Sequence, residues 1–159
     1  MITHHEIRLA RGDDAPHIAE MSRDLIEHGM VWRWTPASIQ ACIRSRTTNV
    51  AVAPTDHGLA GFAIMQYKDD EAHLSLLAVH PAHRRKGIGA ALMVWHEAAA
   101  LTAGIGAIYL ESRASNAAGR AFYGSIGYRE VQYVRGYYAN REDGVRFGKD
   151  LWAQVPADS

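Results

Sequence analysis

Residues 74–92 read LSLLAVHPAHRRKGIGAAL and combine an apolar run, a proline, a basic glycine-rich segment and an alanine-rich run. Pro81 cannot donate a hydrogen bond to a sheet, so it ends a buried strand. The segment 84–89 then opens a helix, whose free N–H groups attract anions, and its glycines let a phosphate approach the backbone closely. The stretch predicts strand, turn and helix. The turn either binds an anion or only shapes the connection.

Two common phosphate-binding patterns do not fit this turn. The dinucleotide fingerprint G-x-G-x-x-G needs glycine at the position that Leu92 occupies. The P-loop pattern needs Gly-Lys-Ser/Thr, which does not follow here. A pyrophosphate site of another kind remains.

The segment resembles the acetyl-CoA-binding motif of the GNAT family, the GCN5-related N-acetyltransferases. The family pattern Arg/Gln-x-x-Gly-x-Gly/Ala falls on Arg84, Gly87 and Gly89. The resemblance implies that this turn holds the pyrophosphate of coenzyme A. The residues expected to bind acetyl-CoA are Leu77, Ala78, Val79, Arg84, Arg85, Lys86, Gly87, Ile88, Gly89, Ala90, Asn116 and Tyr123.

The composition is that of an ordinary globular domain. The chain has 159 residues, 48% hydrophobic and 21% charged, which is enough for one domain with a sizeable core. A net charge of +0 gives no support to nucleic acid or an anionic membrane as the main partner. Cys42 is the only cysteine, so no internal disulfide is possible. With no visible signal peptide and no apolar run long enough to span a membrane, we expect a cytoplasmic protein.

The strand that leads into the turn changes the phase of its apolar residues. Ala72, Leu74 and Leu76 share one face, whereas Leu77 and Val79 point the other way. Such a slip indicates a β-bulge, or else a strand that is buried on both faces. The resemblance to the GNAT family favours the bulge. It implies that a freed backbone N–H close to Leu77 and Val79 polarises the thioester carbonyl.

A second motif covers residues 110–128 and resembles the corresponding strand–helix unit of RimI-type protein N-terminal acetyltransferases. Its pattern Leu-Glu-x-Arg-x-Ser-Asn places Glu111 on the strand and Asn116 at the helix start, with Tyr123 two turns later. The resemblance implies that Glu111 is the general base, that Tyr123 protonates the departing thiolate and that Asn116 contacts the pantetheine arm. We expect burial to raise the pKa of Glu111 into a useful range. From the residues alone, the alternatives are that Glu111 is a solvated strand-end residue, that Asn116 is only a helix cap and that Tyr123 is a packing residue.

Four residues are candidates for binding the acceptor. Trp32, Arg33 and Trp34 lie in a connection between two helices, where they either pack over the core edge or form an aromatic wall with a cation. Tyr137 belongs to a tail that is similar to the RimI-type sequence. Residues 146–149 depart from that sequence, being Arg-Phe-Gly-Lys rather than acidic and then apolar. The acceptor is therefore left open between a peptide N-terminus and a small amine.

The sequence thus predicts an α/β (α+β) fold, a single GNAT-like domain over residues 1–152 with a C-terminal tail over 153–159. We expect a mixed, mostly antiparallel central sheet of about six to seven strands flanked by about four helices. The predicted function is transfer of an acetyl group from acetyl-CoA to a primary amine by direct attack in a ternary complex. The alternative is a non-catalytic acyl-CoA sensor or interaction module. No metal is expected, and a homodimer is left open.

Overall fold

The computed structural model describes residues 5–154, which fold around a seven-stranded sheet. The strands are β1 Arg8–Leu9, β2 Thr48–Thr55, β3 Gly58–Lys68, β4 Glu71–Val79, β5 Ala107–Arg113, β6 Arg129–Tyr138 and β7 Glu142–Asp150. Their order across the sheet is β1-β2-β3-β4-β5-β7-β6. Every neighbouring pair is antiparallel except β4 and β5, which are parallel.

Four α-helices in the described part of the chain cover the two faces of this sheet. They are α1 Ala15–Leu25, α2 Pro36–Arg44, α3 Ile88–Thr102 and α4 Ala117–Ser125. Helices α1 and α2 pack on one face, and α3 and α4 pack on the other. This architecture confirms the predicted mixed, mostly antiparallel α+β fold. Within residues 5–154 no helix is both long and apolar enough to cross a membrane.

The predicted boundary between the domain and its C-terminal tail lies close to the last described residue. A short 3-10 helix, Trp152–Gln154, follows β7 and spans the predicted boundary at residue 152. The remainder of the predicted tail, residues 155–159, lies outside the described residues.

Two separate cores hold the helices to the sheet. The first core lies under α3 and α4, and its largest fully buried side chains are Met65, Leu92, Met93, Ile108, Leu110, Phe147 and Leu151. The second core lies under α1 and α2, and its largest fully buried side chains are Ile18, Ile39, Phe62 and Ile64. A strand in the middle of the sheet must therefore present apolar residues to both faces.

Strand β4 contains the predicted β-bulge. Met65 of β3 pairs with Leu74 and Ile64 pairs with Leu76, so Ser75 is an extra residue without a partner in the register. An extra residue reverses the faces of all residues that follow it.

The bulge corrects one detail of the sequence prediction. Ala72 packs in the first core, but Leu76 packs in the second, so the expectation that they share a face is wrong. Leu77 and Val79 return to the face of the first core. A polar residue can occupy the unpaired position, so the alternation of faces shifts at Ser75. In the sequence pattern, the shift shows only where two apolar residues are adjacent.

The bulge also coincides with a divergence of two strands. Residues 71–74 of β4 pair with residues 107–110 of β5, and no pairing continues beyond them. From Glu111 onward, β5 pairs with β7 alone. A wedge-shaped opening therefore separates residues 75–79 of β4 from residues 111–113 of β5. We call it the wedge.

One buried histidine makes the stability of the fold sensitive to acid. His96 on α3 is fully buried, and its Nε2 lies 3.0 Å from the carbonyl oxygen of Ala63, to which it donates. Its Nδ1 is buried and has no partner among the described residues. Burial, offset only in part by the bond to Ala63, lowers the pKa of His96 from 6.5 to about 4.

We therefore expect stability to fall as the pH drops from 6.5 toward 4, because the unfolded chain takes up a proton that the folded chain refuses. The loss amounts to about 3 kcal/mol at most, since each unit of pKa is worth about 1.4 kcal/mol. His96→Gln should flatten this part of the curve of unfolding free energy against pH, while His57→Gln, at an exposed turn, should leave it unchanged. Parallel curves for wild type and His96→Gln would show that His96 does not carry the effect.

Candidate active site

The basic turn between β4 and α3 has the backbone shape of an anion cradle. Gly87 caps α3 in the left-handed conformation, with φ of +81°, and Arg85 also has a positive φ of +63°. The side chains of Arg84, Arg85 and Lys86 are exposed. The first N–H groups of a helix have no partner within it, so here they face the same space as three cationic side chains. The residues fit a pyrophosphate group.

Two contacts support this turn. A Cβ on Gly89 would lie 3.2 Å from Cζ of Phe122, so glycine is what allows α3 and α4 to approach closely. The ring of His5 bonds the carbonyl oxygen of Lys86, which brings the start of the chain onto the turn. No local sequence signal could have shown this bond, because its partners are 81 residues apart.

The backbone of β4 presents polar groups to the wedge. The N–H of His80 donates to the carbonyl of Ala60 over 2.7 Å, and Val79 is in register with Gly61. In an antiparallel pair with this pattern, the backbone groups of Val79 and Leu77 point away from β3. They therefore face the opening that β5 has left, as an oxyanion donor requires.

Helix α4 carries two of the predicted site residues, Asn116 and Tyr123. Asn116 caps the helix, and its Oδ1 accepts the N–H of Gly119 over 2.9 Å. Tyr123 is half-buried against the first core, with its ring 5.8 Å from that of Phe147. Burial raises the pKa of Tyr123, so the phenol keeps its proton at neutral pH. A protonated phenol suits a proton donor.

Glu111 lies at the mouth of the wedge with both carboxylate oxygens already bonded. Its side chain is only 6% exposed. Oε1 lies 2.6 Å from Nε2 of His73 and accepts the hydroxyl of Tyr137 over 3.1 Å. Oε2 accepts Nε–H of Arg146 over 2.8 Å. The side chain is therefore held from three strands, β4, β6 and β7.

This environment overturns the expected direction of the pKa of Glu111. Burial does raise it, as predicted, but the hydrogen bonds that Glu111 accepts from His73, Arg146 and Tyr137 act the other way and outweigh burial. Together they lower the pKa of Glu111 from 4.5 to about 2. Only desolvation could be predicted from the sequence, because the two partners, His73 and Arg146, lie 38 and 35 residues away in the chain.

A cavity of about 410 Å³ opens beside Glu111 on the face of the sheet that carries α1 and α2. It is lined by Glu71, Ala72, His73, Tyr109, Glu111, Tyr137 and Arg146. Tyr137, one of the predicted acceptor residues, is thus at the site. His73 was not among the residues predicted from the sequence. Arg146 was considered only as a departure from the RimI-type tail.

The segment Trp32-Arg33-Trp34 lies elsewhere. Both indoles are half-buried and pack against the second core, and neither lines the cavity beside Glu111. Arg33 is exposed, and its backbone N–H donates to Oε1 of the buried Glu27 over 2.6 Å. Both indoles therefore pack over the core, and acceptor binding by Trp32, Arg33 and Trp34 stays a prediction.

The loop that carries these residues still reaches the edge of the site through Met30. Nη2 of Arg113 lies 3.4 Å from Sδ of Met30, and Nη1 of Arg113 donates to Glu142 over 2.6 Å. Arg113 therefore connects the loop between α1 and α2 to the hairpin of β6 and β7, two residues beyond Glu111 on β5.

Comparison with known proteins agrees with this geometry. The Acetyltransferase (GNAT) family matches residues 15–128, which include both sequence motifs and the wedge. The chain belongs to the GNAT acetyltransferase family. The predicted resemblance is confirmed. Within residues 5–154 of this GNAT protein, no three His, Cys, Asp or Glu side chains are grouped so that they could hold a metal ion.

Several relatives are similar to this GNAT chain. The [Ribosomal protein bS18]-alanine N-acetyltransferase of Escherichia coli is 41% identical over 90 residues, which are 55% of this chain and 61% of that protein. An N-alpha-acetyltransferase of Sulfurisphaera tokodaii is 36% identical over 74 residues, 46% of this chain and 44% of that protein. The chain thus matches less than two thirds of the length of these relatives.

The fold is also shared with solved structures. The crystal structure of the ribosomal-protein-S18-alanine N-acetyltransferase from Escherichia coli has a TM-score of 0.77 and 26% identity, covering 98% of this chain and 99% of that one.

For this GNAT domain, the left-handed Gly87 provides a test of the turn. Gly87→Ala should weaken acetyl-CoA binding by roughly five- to thirtyfold in calorimetry, because an alanine at this φ costs about 1–2 kcal/mol. Gly104→Ala is a matched control, since Gly104 has a φ of +82° at the opposite end of α3 and open space around it. Equal loss of affinity in both variants would mean that general destabilisation, not the turn, weakens binding.

Proposed function

We propose that this chain transfers the acetyl group of acetyl-CoA to a primary amine that enters beside Met30 and the β6–β7 hairpin. The observation that carries the proposal is the wedge. Backbone groups of β4 face the wedge, and the basic turn 84–89 follows this strand. Glu111 and Tyr123 lie on opposite faces of the sheet. A sensor that only bound acyl-CoA would need the turn but not the two side chains.

Different residues of the chain bind acetyl-CoA, stabilise the developing charge and move protons. The turn 84–89 holds the pyrophosphate, and Asn116 offers its amide to the pantetheine arm. When bound, acetyl-CoA supplies an activated thioester. The N–H groups of Leu77 and Val79 stabilise negative charge on its carbonyl oxygen, and Tyr123 gives a proton to the sulfur that leaves. Glu111 and the side chains bonded to it handle the proton of the amine.

We infer that the acceptor is the α-amino group of a peptide. The support comes from the relatives named above, one an alanine N-acetyltransferase of a ribosomal protein and the other an N-alpha-acetyltransferase. A small amine is the second candidate. The cavity beside Glu111 favours it, because a volume of about 410 Å³ is of a size to hold a small amine, and Glu71 offers a carboxylate there.

Mass spectrometry of acetylated products separates the two. The protein is incubated with acetyl-CoA and an equimolar mixture of short peptides with free N-termini, the same peptides with blocked N-termini and a free lysine, polyamines and amino acids. We expect acetyl groups on the free peptide N-termini. Acetylation confined to polyamines or amino acids would assign the small-amine function, and none on any acceptor would contradict both.

A further inference from the structure

His73 is the side chain of the site that is placed to exchange a proton with the cavity. Its strand position is in register with Tyr109, and its neighbours Ala72 and Leu74 pack in the first core. Alternation therefore directs His73 to the opposite face, where the cavity lies. Its side chain is 43% exposed, against 6% for Glu111.

The bond between the two side chains fixes which nitrogen of His73 is free. An ionised carboxylate can only accept hydrogen bonds, so the hydrogen between Oε1 of Glu111 and Nε2 of His73 belongs to the imidazole. When the ring is neutral, Nδ1 then carries the lone pair. Nδ1 has no partner among the described residues, and the ring lines the cavity.

Glu111, by contrast, is poorly suited to take a proton itself. Both of its oxygens are occupied, and Arg146 holds its charge in place. An orienting carboxylate behind an imidazole is a common way to prepare a histidine for general-base work. Arg146, Glu111 and His73 are arranged in this way, with the carboxylate orienting the imidazole.

We propose that His73 takes the proton of the incoming ammonium group on Nδ1, and that Glu111 is a positioning residue that holds the imidazole through Nε2. This proposal rests on the proposed acetyl transfer. The other titratable or charged side chains around the cavity, among the described residues, are Glu71 on the same strand, Tyr109, Tyr137 and Arg146. Arg146 pairs with the second oxygen of Glu111 and keeps the carboxylate ionised.

The protons balance in this scheme. The ammonium gives one proton to Nδ1 of His73, and its nitrogen lone pair forms the new C–N bond at the thioester carbon. The C–S bond breaks, and the sulfur takes the phenolic proton of Tyr123. The second proton of the amine nitrogen restores the phenol. The imidazolium of His73 returns the first proton to solvent, to which it is open.

The pH dependence of kcat/KM tests this role. His73→Gln should lower kcat at neutral pH by about 10²-fold, which is the usual contribution of a general base, with KM for acetyl-CoA unchanged. It should also change the shape of the pH profile. His57→Gln, a histidine exposed in the turn between β2 and β3, should match wild type. A His73→Gln profile parallel to that of wild type would overturn the proposal.

Chemical rescue distinguishes proton transfer from support of the structure. In His73→Ala, added imidazole should restore at least part of the lost rate, because a free imidazole can occupy the space beside Glu111. A purely structural role would not respond to imidazole. Absence of rescue together with a normal thermal unfolding curve for His73→Ala would count against His73 as the base.

The tautomer of His73 gives a readout that does not depend on acetyl transfer. Nitrogen chemical shifts of the free wild-type protein should report hydrogen on Nε2 of His73, and Glu111→Gln should alter that signal. Hydrogen on Nδ1 would overturn the His73 proposal even if the protein acetylates peptides. An inactive wild type with the predicted tautomer would contradict the proposed function and leave the geometry of the pair intact.

Discussion

Tyr123→Phe should lower kcat for acetyl transfer by at least about tenfold, with little change in the affinity for acetyl-CoA. The ring of Tyr123 packs in the first core, and phenylalanine preserves that packing while removing the proton. Loss of the hydroxyl forces the sulfur to leave as a thiolate without a donor beside it. Steady-state rates with acetyl-CoA and calorimetry of its binding measure the two quantities separately.

Tyr128→Phe is the matched control for this substitution. Tyr128 is also buried in the first core, 6.1 Å from the ring of Tyr123, and its hydroxyl donates to Glu97 over 2.9 Å. Removing this hydroxyl should cost stability but leave kcat close to wild type. If Tyr123→Phe turns over like wild type, Tyr123 is not the acid and the sulfur leaves by another route.

Glu111→Gln should lower the rate strongly at neutral pH, and the deficit should narrow as the pH rises. The amide keeps the shape of the side chain but loses the charge that holds His73 and Arg146 in place. At high pH the amine is neutral in solution, so less depends on a base in the protein. Profiles of kcat/KM against pH for the variant and wild type measure the effect.

Glu130→Gln provides the corresponding control on the surface. Glu130 accepts two bonds from Arg120 and is exposed, so loss of its charge should change neither rate nor profile. A deficit in Glu111→Gln that is constant at all pH values would contradict a role in proton transfer and point to acceptor binding instead.

Much of the fold could be predicted from local patterns. Pro81 and the glycines of the turn mark the strand–turn–helix unit directly, and the phase slip in β4 predicts its bulge. The exact position of the bulge could not be predicted, because Ser75 is polar and interrupts the apolar series that the pattern depends on.

The electrostatics of the site depend on contacts between distant parts of the chain. His73 and Arg146 reach Glu111 from β4 and β7, and neither belongs to the motif that contains it. Sequence reasoning could identify Glu111 as a candidate, but not the direction of its pKa. The same holds for Trp32, whose packing against the second core follows from the fold rather than from its neighbours in sequence.

Release of coenzyme A thiol from acetyl-CoA in the presence of free peptide N-termini tests the central claim most directly. We expect wild-type protein to release thiol only when an amine acceptor is present, and Tyr123→Phe to slow that release at least about tenfold. Acetyl-CoA binding without thiol release, for every peptide, polyamine, amino acid and aminoglycoside offered, would contradict acetyl transfer and support an acyl-CoA sensor.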